Sequence, residues 1–188
     1  MADEFKRRLQ QCRGVRAVLE CALTGALELT GARLGYAQLM DWDKGLLTIV
    51  AQRGFDHEFL DFFRHVRPEQ GCACARTLTE RGAVVVQDVM CDRGFAPYSA
   101  IAEQAGFRAV QSTPIISSGG AFLGVLSTHF PNAHRPSKNV MLELKALAEL
   151  TAEALIRERA CESDASRQVS DSFEAVATSR QLLKRLEA

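Results

Sequence analysis

The chain has 188 residues, of which 47% are hydrophobic and 24% are charged. This composition is typical of one soluble globular domain that buries a core, and it differs from that of a disordered chain. The 23 lysines and arginines balance 23 aspartates and glutamates, so no large basic field exists to hold a phosphate backbone or an acidic membrane surface. We therefore exclude a general nucleic-acid binder and expect neither nucleic acid nor a membrane as a partner.

Six cysteines are scattered along the chain, and Phe5-Lys6-Arg7-Arg8 interrupts any apolar stretch near the N-terminus. A signal peptide needs such a stretch. No segment approaches the ~20 apolar residues that cross a bilayer. Scattered cysteines in this setting favour free thiols in a reducing compartment, and the sequence predicts a cytoplasmic protein.

The first half of the chain alternates helical and strand patterns. Apolar residues recur with helical spacing from Phe5 to about Thr30, which predicts one amphipathic helix. Two strand-like runs, 34–40 and 45–51, are joined by turn residues and predict a β-hairpin. Residues 57–63 and 71–81 have helical spacing, and they predict two short helices that cross from one sheet edge to the next.

The second half predicts more strands. Val84–Val86 is typical of a short buried strand, and a polar loop follows it before a short helix at 99–105. Residues 108–116 and 121–130 predict two strands joined by a Ser-Ser-Gly-Gly turn. Because hairpins join antiparallel neighbours, we expect a largely antiparallel sheet.

Ser137 is placed to cap the last long helix, which the apolar spacing predicts to about Arg159. The composition turns polar after Cys161 and predicts a bend or linker. A weakly amphipathic tail follows within 163–188, with its apolar positions at Phe173, Val176, Leu183 and Leu186. The predicted organisation is one domain at 1–160 and a helical tail or linker at 161–188.

Four stretches of the chain carry a resemblance to a known family. They are Val50–Phe55, Gly71–Arg76, Asp92–Phe95, and Gln111–Pro114 leading into Gly124–Phe130. Together they resemble the GAF domain, a small-molecule sensor module of bacterial signalling proteins, and most closely the GAF domains found beside histidine kinase and PAS modules. The resemblance covers roughly residues 15–159.

The resemblance implies an α+β, profilin-like fold. In that fold the terminal helices pack on one face of a central antiparallel sheet, while crossover helices and loops enclose a pocket on the other. Family analogues dimerise through the terminal helices and transmit signals along them. We therefore expect an unidentified small-molecule ligand, a homodimer, and a kinase or another signalling protein as the output partner.

Ser112, Ser127 and His129 are the first candidates for binding a ligand. The period-two alternation of a strand places Ser127 and His129 on one sheet face, with Ser112 on the neighbouring strand. These groups could hydrogen-bond a small polar molecule. The alternative is that backbone groups or water satisfy them inside an ordinary core.

Cys74, with Cys72 two residues before it, lies near the start of a predicted helix, where amide dipoles lower a thiol pKa. A ligand-binding, covalent or redox role follows, and the alternative is an inert buried thiol. Cys-Ala-Cys is a poor metal signature, because no second pair follows at zinc-finger spacing. Cys91 would complete a metal site only if the fold brought it close to other ligands. We expect no metal and no cofactor.

Four residues of the loop after Val84–Val86 are further ligand candidates. The loop could close on a ligand, with Phe95 or Tyr98 stacking on a planar ring and Arg93 pairing with an anion. Asp92 belongs to the same stretch. Helix capping and loop packing are the alternative roles.

Several specific functions are excluded or disfavoured. Gly119–Gly120 joins two strands, so the chain has no phosphate-binding loop of the nucleotide-hydrolase type. Neither candidate serine lies on a strand-to-helix elbow, which excludes a serine hydrolase of that type. Within the resembled family, residues 130–134 lack the Asn-Lys pair of cyclic-nucleotide binders, and no cysteine precedes a histidine as in bilin binders.

Three functional hypotheses remain. The leading one is a regulatory sensor that binds a ligand and signals through a helical dimer, with binding and no bond breaking as its chemistry. The first alternative is a thiol enzyme similar to free methionine sulfoxide reductase. That enzyme has a Gly-Xaa-Cys-Gly stretch near its active site, and residues 73–75 of this chain match the stretch only in part. The second alternative is a dimerisation module without a pocket.

Overall fold

A computed structural model describes the backbone of residues 2–186 and the side chains of residues 3–164. The strands are β1 (Leu34–Asp41), β2 (Leu46–Arg53), β3 (His65–Val66), β4 (Val84–Val86), β5 (Ala109–Ile116) and β6 (Phe122–Phe130). The helices are α1 (Ala2–Gln11), α2 (Val15–Thr30), α3 (His57–Phe62), α4 (Ala73–Glu80), α5 (Ser99–Gln104) and α6 (Lys138–Leu186), with a 3-10 turn at Ala96–Tyr98.

The strands form one antiparallel sheet in the order β3-β2-β1-β6-β5-β4. β1 and β6 lie at its centre, with Tyr36 opposite Ser127, and Ser127 is in turn opposite Ser112 of β5. Both predicted hairpins are confirmed. The edge strand β3 was not predicted, because two residues are too few to show a period.

Helices α2 and α6 cover one face of the sheet, which we call the helix face, and α1 packs on both of these helices. Their apolar stripes form the first of two cores, in which Leu19 of α2 and Leu147 of α6 are buried. A Cβ on Gly25 would lie 2.7 Å from the Phe5 ring and 3.3 Å from a Leu147 methyl, so glycine permits the three helices to approach closely. The predicted packing of the terminal helices on one face is confirmed.

The single N-terminal helix predicted from Phe5 to Thr30 is wrong, because the chain breaks between α1 and α2. Gly14 has φ 80° and ψ 150°, a conformation essentially reserved for glycine. Its N–H donates to the Glu158 carboxylate of α6 at 2.5 Å, and Arg157 donates to the Leu9 carbonyl at 3.1 Å. The periodicity did not reveal the break because apolar spacing resumes after it in nearly the same phase.

Helix α6 begins as predicted, with the Ser137 hydroxyl accepting a hydrogen bond from the Val140 N–H at 3.3 Å. It then continues without interruption to Leu186, so the predicted end near Arg159 and the bend after Cys161 are wrong. The polar run there contains neither glycine nor proline, and polar composition alone does not stop a helix. The tail pattern of Phe173, Val176, Leu183 and Leu186 lies outside the residues whose side chains are described.

Helices α3, α4 and α5 and their connecting loops cover the opposite face of the sheet, which we call the roof face. A second core, rich in aromatic rings, separates them from the strands. This division confirms the predicted α+β class with terminal helices on one face and crossover helices on the other. Within the described part of the chain, no helix is both long and apolar enough to span a membrane.

Candidate functional site

A row of hydroxyl groups crosses the centre of the roof face. Tyr36, Ser127 and Ser112 are in register on β1, β6 and β5, and all three are buried. The two serine hydroxyl oxygens lie 2.7 Å apart, so one serine donates to the other. The structure therefore brings together two predicted site residues and adds a tyrosine that the sequence did not single out.

The start of α4 lies above this row. The Tyr36 hydroxyl donates to Cys74 Sγ at 3.5 Å, and Cys74 Sγ is 3.5 Å from Cys72 Sγ. Thr77, one turn further along α4, contacts the Ser112 carbonyl with its hydroxyl at 3.5 Å. The cysteine pair predicted near a helix start thus belongs to the same buried cluster as the serines.

The two thiols of the pair differ in acidity. The hydrogen bond from Cys74, helped by the amide of Ala75 and the charge of Arg76, lowers the pKa of Cys72. The same hydrogen bond, together with complete burial, raises the pKa of Cys74 well above its ordinary value. Burial likewise raises the pKa of Tyr36. At neutral pH Cys74 and Tyr36 are therefore protonated, and Cys72 is the more acidic thiol.

His129 lies beside the hydroxyl row and is surrounded by aromatic rings. Its ring centroid is 5.0 Å from those of Tyr36 and Phe55 and 4.7 Å from that of Phe107. Burial lowers its pKa to about 3, so the imidazole is neutral at physiological pH. Its Nδ1 has no hydrogen-bond partner among the described residues.

Gln38 is the second buried side chain on the roof face whose polar atoms lack hydrogen-bond partners. It lies two residues after Tyr36 on β1, on the same sheet face, and it is 0% exposed. Neither its amide nitrogen nor its amide oxygen has a partner among the described residues. We call Tyr36, Gln38, Ser112, Ser127 and His129, with Cys72 and Cys74 above them, the roof site.

The loop predicted to close over the site is held to α4 by an ion pair. Arg76 donates to both oxygens of Asp92 at 3.0 Å, and Asp92 also accepts the Phe95 N–H at 3.0 Å. Phe95 and Tyr98 are buried in the aromatic core, where their rings lie 5.6 Å apart. Arg93 is exposed, so the structure does not bring it to the roof site.

Several residues of the site region were not predicted. Tyr36 and Gln38 lie two residues apart on β1, but only the register of β1 against β6 shows that Tyr36 is opposite Ser127 and Gln38 opposite Val125. Arg76, four residues after Cys72, could have been found as the helical neighbour of the cysteine pair. The aromatic rings of Phe55 and Phe59 stack at 3.8 Å, and nothing in their sequence pattern distinguished them from ordinary core.

The space between the sheet and the roof helices is packed with rings. Phe55, Phe59 and Phe107 contact one another and His129 with centroid distances of 3.8 to 6.3 Å. An open groove of about 990 Å³ lies elsewhere, between the end of β5, the turn after it and α6, and its lining includes Arg81, Pro114 and Leu142. A molecule that enters the roof site therefore has to displace part of the aromatic core.

A comparison with family models decides the relationship suggested by the motifs. The GAF domain family model matches residues 12–156, a stretch that contains the whole roof site. The chain belongs to the GAF domain family. No curated protein was found to be similar to this GAF domain. In the described residues, no group of three or more histidine, cysteine or acidic side chains could hold a metal ion.

Solved structures confirm the GAF fold. A domain from Sinorhizobium meliloti described as a two-component sensor histidine kinase protein is 18% identical, with a TM-score of 0.66, and the match covers 84% of this chain and 99% of that one. Free methionine-R-sulfoxide reductase from Neisseria meningitidis, in complex with its substrate, is 19% identical, with a TM-score of 0.71 and coverage of 85% and 89%. The GAF domain of a Coxiella burnetii phosphoenolpyruvate-protein phosphotransferase is 14% identical, with a TM-score of 0.73 and coverage of 86% and 94%. At these identities the likeness concerns the fold.

Proposed function

We propose that this GAF domain is a regulatory sensor that binds a small molecule at the roof site. The observation that carries the proposal is the set of buried polar atoms without partners at the roof site, namely both amide atoms of Gln38 and Nδ1 of His129. Leaving a buried polar group unpaired costs about 1–3 kcal/mol. A ligand that supplies the missing partners offsets this cost, and the nearby pair of Ser112 and Ser127 offers further hydrogen bonds.

The chemistry of the site favours an uncharged ligand with a planar ring. Glu158 is the one charged residue among the buried side chains of the described part, and it lies on α6 at the helix face. A neutral His129 supplies no charge either. Charged ligands would lose their hydration without gaining a counter-charge, whereas an aromatic ring can replace one of the displaced phenylalanines.

Entry of the ligand at the roof site would change the conformation of the roof helices. Phe59 belongs to α3, a helix of only six residues, and its ring stacks on that of Phe55. Displacement of this ring pair moves α3 and its neighbouring loops. Short elements with few anchoring contacts respond in this way because little packing energy holds them in place.

The output passes through the terminal helices to a second subunit and a signalling partner. Helices α1 and α2 contact α6, and α6 continues to Leu186. A helix that extends well beyond residue 159 needs a packing surface to be stable. We propose a cytoplasmic homodimer that pairs through these helices and acts on a kinase or a related protein. Sedimentation of the full chain tests this pairing, because it yields twice the monomer mass if the proposal holds.

A binding screen tests the ligand proposal. Uncharged heteroaromatic compounds and their carboxylated analogues are compared by thermal shift on the wild-type chain, on Gln38→Leu and on Gln111→Leu. Gln111 is the matched control, since it is an equally buried glutamine whose amide nitrogen faces Met141 of α6 on the helix face. The proposal expects a neutral compound to stabilise the wild type and Gln111→Leu but not Gln38→Leu, without turnover. Stabilisation by none of the compounds would favour a dimerisation module without a pocket.

The second candidate function is a thiol enzyme similar to free methionine sulfoxide reductase. The Cys72 and Cys74 pair beside Tyr36 favours it, and the Neisseria meningitidis reductase has the same fold. A free amino acid is zwitterionic, however, and the roof site offers no buried charge to pair with it. Incubation with methionine-R-sulfoxide and a dithiol reductant discriminates the two functions. Turnover that Cys74→Ser abolishes would establish the enzyme and remove the sensor proposal.

A further inference from the structure

The two thiols of the roof site are arranged for a reaction with each other. The Sγ atoms of Cys72 and Cys74 are 3.5 Å apart, and both cysteines are free. A disulfide requires about 2.05 Å between sulfurs and about 4.4–6.8 Å between the Cα atoms. Residues two apart at a helix start satisfy the second requirement, so a side-chain movement of about 1.5 Å is enough to close the bond.

We propose that Cys72 and Cys74 form a thiol–disulfide switch that hydrogen peroxide oxidises. Cys72 is the attacking thiol and Cys74 the resolving thiol. Unlike the sensor proposal, this inference does not require any ligand to bind at the roof site, and unlike the reductase it requires no sulfoxide substrate.

The reaction proceeds in two balanced steps. The Cys72 thiolate attacks one peroxide oxygen, the O–O bond breaks, and the departing hydroxide takes a proton to leave as water. This step oxidises Cys72 to a sulfenic acid. The Cys74 sulfur then attacks the sulfenic sulfur, the S–O bond breaks, and hydroxide leaves as water with the Cys74 proton. Two thiols are oxidised to one disulfide, and one peroxide is reduced to two waters.

The surroundings of the pair assign these roles. Cys72 occupies the N-cap position of α4, where amide groups and Arg76 favour its thiolate. Cys74 lies deeper, fully buried against Tyr36, and remains protonated. Burial, and after it the negative charge that Cys72 carries as a thiolate, raises the pKa of the Tyr98 phenol. Because Cys72 is itself only 1% exposed, the reaction requires a local opening of the protein around α4 that admits the peroxide.

A second pair of thiols in the same chain provides an internal comparison. Cys12 and Cys21 lie on the helix-face side. Burial is the larger cause, and the contact with Cys12 the next, that raises the pKa of Cys21 to about 11. A thiol with so high a pKa is almost entirely protonated at neutral pH and reacts slowly. We therefore expect the Cys72 and Cys74 pair to oxidise first.

Peptide mapping of the full wild-type chain after a small excess of hydrogen peroxide tests the switch. Trypsin releases both cysteines in one peptide, His65–Arg76, since the Arg67–Pro68 bond resists cleavage. The expected product has a mass two hydrogens lower than that of the dithiol peptide. In Cys74→Ser, dimedone is expected to trap a sulfenic acid at Cys72, whereas Cys72→Ser gives no adduct at Cys74. The matched control Cys91→Ser, which removes an exposed thiol, leaves the disulfide yield unchanged.

Three results would overturn the inference. The first is a wild-type peptide that keeps both thiols reduced while exposed Cys91 is oxidised. The second is a dimedone adduct on Cys74 in place of Cys72. The third is an oxidation rate that rises with pH up to the ordinary thiol pKa of 9.0 and does not level off below it. The wild-type map decides the first point even if a serine variant fails to fold.

Discussion

Replacement of Gln38 by leucine is expected to stabilise the unliganded protein and to weaken ligand binding. Gln38 is 0% exposed, and both of its amide atoms lack partners. Each unpaired buried group costs about 1–3 kcal/mol, and a leucine of similar volume removes both groups while keeping the packing. The change should therefore raise the free energy of unfolding by at least about 2 kcal/mol.

Thermal unfolding followed by circular dichroism measures this gain. For a chain of this size, 1 kcal/mol corresponds to about 2–4 °C in the unfolding midpoint, so Gln38→Leu should raise the midpoint by about 4–8 °C. The matched control is Gln111→Leu, where one amide atom lacks a partner and the other faces Met141 at 3.1 Å. Its gain should be smaller. An unchanged or lower midpoint for Gln38→Leu would refute the reasoning, since it would mean that the amide is satisfied in the unliganded protein.

Three further predictions concern stability. His129 has a folded-state pKa of about 3, below its unfolded value of 6.5, so stability should fall as the pH drops below 6.5, by about 2 kcal/mol at pH 5. Urea titrations at pH 7.5 and 5 should show this loss of unfolding free energy in the wild type but not in His129→Leu. An equal loss in the two proteins would contradict the burial of a neutral imidazole. Ser127→Ala leaves the Ser112 hydroxyl without its partner and should cost about 1–3 kcal/mol in urea unfolding, while the double alanine variant should cost less than the sum of the single changes. Gly14→Ala forces alanine into φ 80° with open space around it, so strain alone should cost about 1–3 kcal/mol, and a neutral result would show that the backbone relaxes.

The fold could be predicted because its elements have clear periods. Strands β5 and β6 carry a strong turn at Gly119–Gly120, and the helices carry apolar stripes. The break at Gly14 could not be read in the same way, since it depends on Glu158, 144 residues later in the chain. Local patterns describe elements, whereas this break is fixed by a tertiary contact.

The candidate site was predicted in part for a similar reason. Ser127 and His129 share a face through strand alternation, which is a local property. The partnership of Ser127 with Tyr36 depends on strand register, which a single sequence does not specify. The pairing of Asp92 with Arg76 depends on how the loop returns to α4, which the positions of the two residues in the sequence do not show.

Calorimetric titration of the full chain with the compound that most stabilises it tests the central claim most directly. If the roof site binds the ligand through Gln38, Gln38→Leu should weaken the Kd by about tenfold or more, because one lost hydrogen bond to a buried group is worth about 1.4 kcal/mol or more. Gln111→Leu, on the opposite face of the sheet, should keep the wild-type Kd. Equal weakening in both variants, or full binding by Gln38→Leu, would contradict the account.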